Sequence, residues 1–169
     1  MSLLSHVQAI LALPVMVTIV IPGVIILTTQ SVNIGWSLPA PINGLPLLIG
    51  ALLIGLGLLL IVKTVALFAT VGQGTLAPWS ATRILVVQGV YRYVRNPMIS
   101  GVGAILLGEA VLLGSRSLLT WFGLGALVNL IYIPFIEEVG LEQRFGSAYS
   151  DYKRHVPRWI PRRTPWTGG

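Results

Sequence analysis

Residues Gly89–Gly103 read GVYRYVRNPMISGVG. Tyr91, Arg92, Tyr93 and Arg95 crowd its first half, and an apolar run begins after Asn96-Pro97 and continues to Gly114. Asn is a preferred residue just before a helix, and Pro at the first helical position lacks only an N–H that would be unpaired anyway. The pair therefore predicts a helix starting at Pro97, with free N–H groups and a positive dipole end beside Arg92 and Arg95. A carboxylate could dock there. An ordinary capped helix with two arginines reaching for lipid phosphates would carry the same residues.

On either side of this stretch the chain is apolar throughout. Of 169 residues, 54% are hydrophobic and only 9% charged, and mean hydropathy is +0.84, which excludes an ordinary soluble domain. About 20 apolar residues are needed to cross a hydrocarbon core of about 30 Å as a helix. Four stretches qualify: Val7 to Thr29, Ile42 to Val62, the shorter Met98 to Gly114, and Leu118 to Ile136. The first has no basic segment before it and exceeds the apolar length of a signal peptide, so it reads as a true span. The expected fold is all-α: a polytopic integral membrane protein with about four transmembrane helices and a C-terminal amphipathic helix, in one domain without repeats.

Ten of the eleven basic residues fall in two segments. Lys63, Arg83, Arg92 and Arg95 lie between the second and third spans. Arg144, Lys153, Arg154, Arg158, Arg162 and Arg163 come after the fourth, and only Arg116 lies on the other side. This bias predicts that both termini are cytoplasmic. The net charge of +6 then reads as attraction to anionic lipid headgroups, not to nucleic acid, since no basic and aromatic platform is interleaved. There is no cysteine, hence no disulfide and no thiolate chemistry. His6 and His155 stand far apart and outside any ligand motif, so no metal is expected.

Several residues invite a functional reading beside a plainer one. Glu137 and Glu138 close the last apolar run, where desolvating two adjacent carboxylates is costly without cationic partners; Arg95, Arg144 or a bound cation would serve, and a salt-bridged helix end would look the same. Glu109 falls about 18 Å along the third span from Pro97 and reads as a structural pair with Arg116. Gly50, Gly55 and Gly57 suit close helix packing. Gly72 and Gly74 read as a hinge, and Ile84 to Val87 as a short extended stretch. Leu141, Phe145, Tyr149 and Tyr152 form the stripe of an amphipathic helix stopped by Val156 and Pro157. Trp36 reads as a headgroup anchor, and Trp159 with Arg158, Arg162 and Arg163 as a clamp on anionic lipid.

Taken together, GVYRYVRNPMISG, an apolar hairpin and EEVGLEQRFGSAYSDYKRHVPRWIP resemble the C-terminal half of the isoprenylcysteine carboxyl methyltransferase and phospholipid methyltransferase superfamily. The resemblance covers roughly Gly72 to Pro161. It implies an integral membrane enzyme that transfers a methyl group from S-adenosylmethionine to a lipophilic acceptor. It further implies that residues 72–169 are a cofactor-binding core, while residues 1–71, matching only as hydrophobic helices, read as an N-terminal helical hairpin. Carried over by position, Tyr91, Arg95, Asn96, Pro97, Met98, Gly101, Gly103, Glu137 and Glu138 would contact or make room for the cofactor. No catalytic base is identified.

Two departures bear on the acceptor. Ile99 stands where such proteins often have a tyrosine, and Leu118 to Ile136 lacks the arginine that eukaryotic prenylcysteine enzymes use for the substrate carboxylate. Asn129, Tyr132, Tyr149 and Arg158 are left as candidate substrate contacts, and carboxylate and lipid amine acceptors both stay open. A non-enzymatic scaffold or lipid-binding relative is the reading from another class.

Overall fold

A computed structural model describes residues 12–70 and 84–168. His6, the start of the first span and the Gly72–Gly74 hinge lie outside them. The regular elements among the described residues are all helical, with no strand among them. Helix α1 (Ala12–Thr29) contains a π-helical turn at Met16–Val20. Helix α2 runs from Gly44 to Thr70, α3 from Pro97 to Leu113, α4 from Arg116 to Phe145 with a π turn at Ile133–Glu137, and α5 from Ser147 to His155. Short 3-10 turns occupy Ile34–Ser37 and Gly89–Arg92.

Among the described residues three helices are long and apolar enough to cross a membrane: Ala12–Thr29, Gly44–Phe68 and Arg116–Phe145. Helix α3 is apolar but shorter, spanning about 25 Å at 1.5 Å per residue. Their outward faces are greasy, as Leu27, Leu52, Leu127 and Phe135 illustrate by their exposure. Together with the length of the apolar helices, this makes the chain an integral membrane protein.

The central pair is α2 against α3, antiparallel and close enough that only glycine fits at the seam. A Cβ on Gly108 would lie 2.8 Å from the Gly50 carbonyl oxygen, and one on Gly101 would lie 2.9 Å from that of Gly57. Gly55 faces open space and takes no part. Without a hydrophobic driving force in lipid, such backbone approach supplies the van der Waals contact that holds helices together.

At the Leu113 end the loop after α1 is tied down by polar bonds. Asn33 N donates to Leu113 O at 2.9 Å, Trp36 Nε1 to Val111 O at 2.8 Å, and Ser31 shares a 2.8 Å bond with Ser115. Trp36 thus fastens the loop onto α3 instead of only anchoring it in headgroups. Gly114 ends α3 in the left-handed conformation (φ 61°), and the Ser115 hydroxyl caps α4 by accepting from Leu118 N. The expected Glu109–Arg116 pair does not form. Arg116 is exposed, and Glu109 Oε2 is buried with no partner.

At the Pro97 end two expectations change. The single amphipathic helix is broken at Gly146 (φ 56°, ψ −132°), so Leu141 and Phe145 belong to α4 while Tyr149 and Tyr152 belong to α5. Their stripe does not face lipid: Tyr149, Tyr152 and Val156 form a buried cluster covered by Leu85, Val87, Leu141, Phe145 and Trp166. Ile84–Val87 forms no regular element.

Candidate functional site

The site lies where the Pro97 end of α3, the end of α4, and α5 with its C-terminal strap meet. Glu138 is its centre, only 2% exposed. Arg95 Nη1 donates to Glu138 Oε1 at 2.7 Å. Arg158 donates from Nε to Oε1 at 2.6 Å and from Nη2 to Oε2 at 3.0 Å, the forked geometry that makes arginine–carboxylate bonds strong. Lys153 Nζ lies 3.4 Å from Oε2 and 3.0 Å from Glu142 Oε1. One enclosed carboxylate thus answers three cations. Its charge holds the Arg158 guanidinium above its ordinary pKa, chiefly through their hydrogen bond.

The π turn at Ile133–Glu137 sets this up. Pro134 sits inside it, and the Glu138 N–H reaches back to Ile133 O across five residues. The extra residue rotates the last turns of α4 by about 100° relative to a regular helix. Glu138 thereby faces Arg95 and Arg158. Glu137 is half-buried and has no hydrogen bond or ion pair among the described residues. Its field reaches two phenols. Burial first, then Tyr152 and Glu137, pushes the Tyr91 hydroxyl up from its usual pKa. Burial and the neighbouring Glu138 push Tyr149 to about 12, and burial raises Tyr152 as well.

A C-terminal strap closes the arrangement. Arg95 N donates to Pro157 O at 2.9 Å, Arg162 N to Tyr93 O at 3.0 Å and Trp166 N to Arg92 O at 2.9 Å. Side chains reinforce these bonds: Arg95 Nε donates to Val156 O at 2.8 Å, Arg92 Nε to Trp166 O at 2.6 Å, and Tyr152 Oη to Tyr91 O at 2.7 Å. Arg158 therefore points inward onto Glu138 and is no lipid clamp. Trp159 has its indole N–H buried, and Arg162 Nη1 is bonded to His155 O at 2.9 Å.

Two unpaired buried donors adjoin members of this cluster along the chain. Asn96 Nδ2 and Trp159 Nε1 are buried donors with no acceptor. Asn96 stands at the helix start but makes no capping bond, so its amide is uncommitted. Each unpaired group is the chain neighbour of a Glu138-cluster member: Asn96 of Arg95, Trp159 of Arg158, Glu137 of Glu138. Buried donors left unmade cost about 1–3 kcal/mol each. A ligand offering acceptors to Asn96 and Trp159 and a cation to Glu137 would remove that cost.

Thr64 carries a further unpaired buried hydroxyl. It is fully buried, and its hydroxyl has no partner, whereas the helical threonines Thr18, Thr28, Thr29, Thr70 and Thr120 all bond back to the preceding turn. Ile61 packs on Gly101, so Thr64, about one turn further, lies level with the start of α3. Sequence reasoning missed Thr64, Lys153 and the indole of Trp159. The only sequence signals were a polar residue in an apolar span and a basic residue near the acidic pair.

The remaining candidates divide. Pro97 is fully buried at the first turn of α3. Tyr91 stacks edge-on against Phe68, and Met98 packs on that cluster. Gly101 is occupied by α2, and Gly103 faces Phe122 at 3.8 Å. Tyr149 Oη lies 3.5 Å from Arg95 Nη1. Asn129 and Tyr132 are not drawn in: Asn129 Nδ2 donates to Gly125 O at 2.8 Å, and Tyr132 is exposed. No group of His, Asp and Glu among the described residues has a metal-holding arrangement.

The chain is similar to the protein-S-isoprenylcysteine O-methyltransferase of Schizosaccharomyces pombe, 34% identical over 84 residues, 46% of this chain and 33% of that protein. The match thus spans about a third of the length of the curated relative. No solved structure matches. The family described as phospholipid methyltransferase matches residues 45–148, which include α2, α3 and the acidic pair, and the chain belongs to that family of methyltransferases.

Proposed function

We propose that the protein transfers the methyl group of S-adenosylmethionine to a lipophilic acceptor at the cytoplasmic membrane face. The observation that supports this reading is the unpaired buried amide of Asn96 and indole of Trp159, with the unbonded Glu137, each the chain neighbour of a residue of the saturated Glu138 cluster. Bound S-adenosylmethionine supplies a methyl already activated by a sulfonium. Its cationic groups suit Glu137, and its carboxylate, ribose and adenine offer acceptors to Asn96 and Trp159. In this reading Glu137 contacts the cofactor, while Glu138 positions Arg95, Arg158 and the strap.

Residues 72–169 then form the cofactor-binding core, with residues 1–71 as a helical hairpin whose Thr64 reaches the same end. Helix α3 is taken as a fourth span, short but flanked by interfacial residues, with both termini cytoplasmic. The protein's task is to hold the acceptor in line at about 3–3.5 Å and exclude water. A lipid amine is favoured over a carboxylate acceptor, because Arg158 is committed to Glu138 and the apolar part of α4, Leu118 to Ile136, contains no arginine. Anionic headgroups surround the basic end.

The test is transfer of labelled methyl from S-adenosylmethionine to lipid extract by the purified protein in nanodiscs. Labelled lipid from the native protein and none from Glu137→Gln is expected. Tight cofactor binding without transfer to any lipid would replace the enzyme with a cofactor-binding scaffold.

A further inference from the structure

Beside the strap lies a groove of about 430 Å³, lined by Val87, Gln88, Gly89, Arg92, Trp166 and Thr167 with Gly168 at its rim. Among its described lining residues the charged side chain is that of Arg92. Arg92 spends its Nε on Trp166 O, and its two terminal nitrogens have no bond among the described residues. No acidic side chain among the described residues pairs with it. Of the five acidic residues, Glu138 is held by Arg95, Arg158 and Lys153, Glu142 by Lys153, and Asp151 by His155. Glu109 lies well along α3, and Glu137 flanks the Glu138 cluster. This contrasts with Arg95 and Arg158, which share one carboxylate.

Depth says where the counter-charge comes from. At 1.5 Å per residue, α2 from Gly44 to Lys63 fills the about 30 Å hydrocarbon core. Leu67, about 6 Å farther along, is the residue against which Gly89 packs: a Cβ there would lie 2.9 Å from Leu67 Cδ1. With Lys63, the charged residue that closes the apolar run, set at the edge of the hydrocarbon core, the groove falls in the headgroup layer, which adds roughly 5–8 Å on each side.

We propose that this groove is a phosphoryl-anion site, separate from the Glu138 cluster. The terminal nitrogens of Arg92 bind the anion, with Gln88 and Thr167 as neutral donors, and the phosphate is that of a membrane lipid headgroup or free phosphate. Because Arg92 also holds Trp166 through its Nε and its carbonyl, an anion there fastens the strap. This does not depend on the cofactor reading.

The test uses the purified full chain in uncharged detergent, titrated calorimetrically with short-chain phosphatidylglycerol, with inorganic phosphate, and with the matching diacylglycerol that lacks phosphate. The two phosphate-bearing probes are expected to bind, or the lipid alone, and the diacylglycerol to fail. Equal affinity for the two assigns the site to the phosphoryl group itself, and preference for the lipid assigns it to the membrane. Arg92→Gln should weaken binding at least tenfold. Gln88→Glu removes no existing contact from an exposed position and gives Arg92 an internal carboxylate, so it should weaken binding equally in a protein that folds. Arg163→Gln, exposed and outside the groove, should change nothing. Binding unaffected by Gln88→Glu, equal binding of the diacylglycerol, or no binding by either phosphate probe would overturn the proposal.

Discussion

Replacing Glu138 with glutamine separates the two glutamates most sharply. The substitution keeps the shape and removes the charge that answers Arg95, Arg158 and Lys153. Arg158 and Lys153 retain access to water, with side chains 29% and 35% exposed, but Arg95 is only 8% exposed. Breaking a buried pair by removing one partner costs about 3–5 kcal/mol. Glutamine can still accept one bond from Arg95, so about 3 kcal/mol is expected here. Glu137→Gln breaks no bond among the described residues and should leave stability nearly unchanged, while cofactor affinity falls at least tenfold, about 1.4 kcal/mol. The assay is thermal unfolding of both variants in detergent beside calorimetric titration with S-adenosylhomocysteine. If Glu138→Gln unfolds like the native protein while Glu137→Gln is destabilised, the division of labour is wrong.

Asn96→Ala and Trp159→Phe should each weaken S-adenosylhomocysteine binding about five- to tenfold, the worth of one hydrogen bond near 1–1.5 kcal/mol, without lowering thermal stability; a loss of stability instead would mean that both donors serve the fold. Gly108→Ala should destabilise by about 1–3 kcal/mol, because its Cβ would meet the Gly50 carbonyl at 2.8 Å; unfolding at an unchanged temperature would refute the tight α2–α3 seam. Tyr149 binds its proton more tightly when folded, at about 12 against a usual 10, so its contribution is whole below pH 10 and is lost as pH rises towards 12. Alkaline titration of unfolding should therefore show a smaller loss across that window in Tyr149→Phe than in the native protein. Glu109→Gln should leave cofactor binding unchanged, since Glu109 lies about 18 Å along α3 from Pro97; a tenfold loss would place it in the site.

Much of this was legible in the chain because membrane helices obey a single constraint, apolar length. That gave the apolar segments and the start of α3 at Pro97. Gly50 and Gly57 announced the α2 seam, although their partners Gly101 and Gly108 needed the register. The acidic pair was visible as costly, and Arg95 was named as a partner. What could not be read is direction. The π turn around Pro134 decides which glutamate turns inward, and nothing in residue spacing distinguishes a π turn from regular helix. Arg158 sits in a basic run that looks lipid-facing, yet the strap carries it back to Glu138, a contact 20 residues apart. Likewise, Tyr149 and Tyr152 share an apolar spacing with α4, but Gly146 breaks the helix between them. Glu109 and Arg116 were close enough along the chain to pair and do not, because Arg116 points to solvent at the start of α4.

The proposed function depends on whether the uncommitted groups next to the Glu138 cluster bind the cofactor. Calorimetric titration of the purified protein in nanodiscs with S-adenosylhomocysteine, run beside Glu137→Gln, measures that. Saturable micromolar binding by the native protein and its loss in the variant is the result expected. Equal binding by the two folded proteins, or none by either, would contradict it.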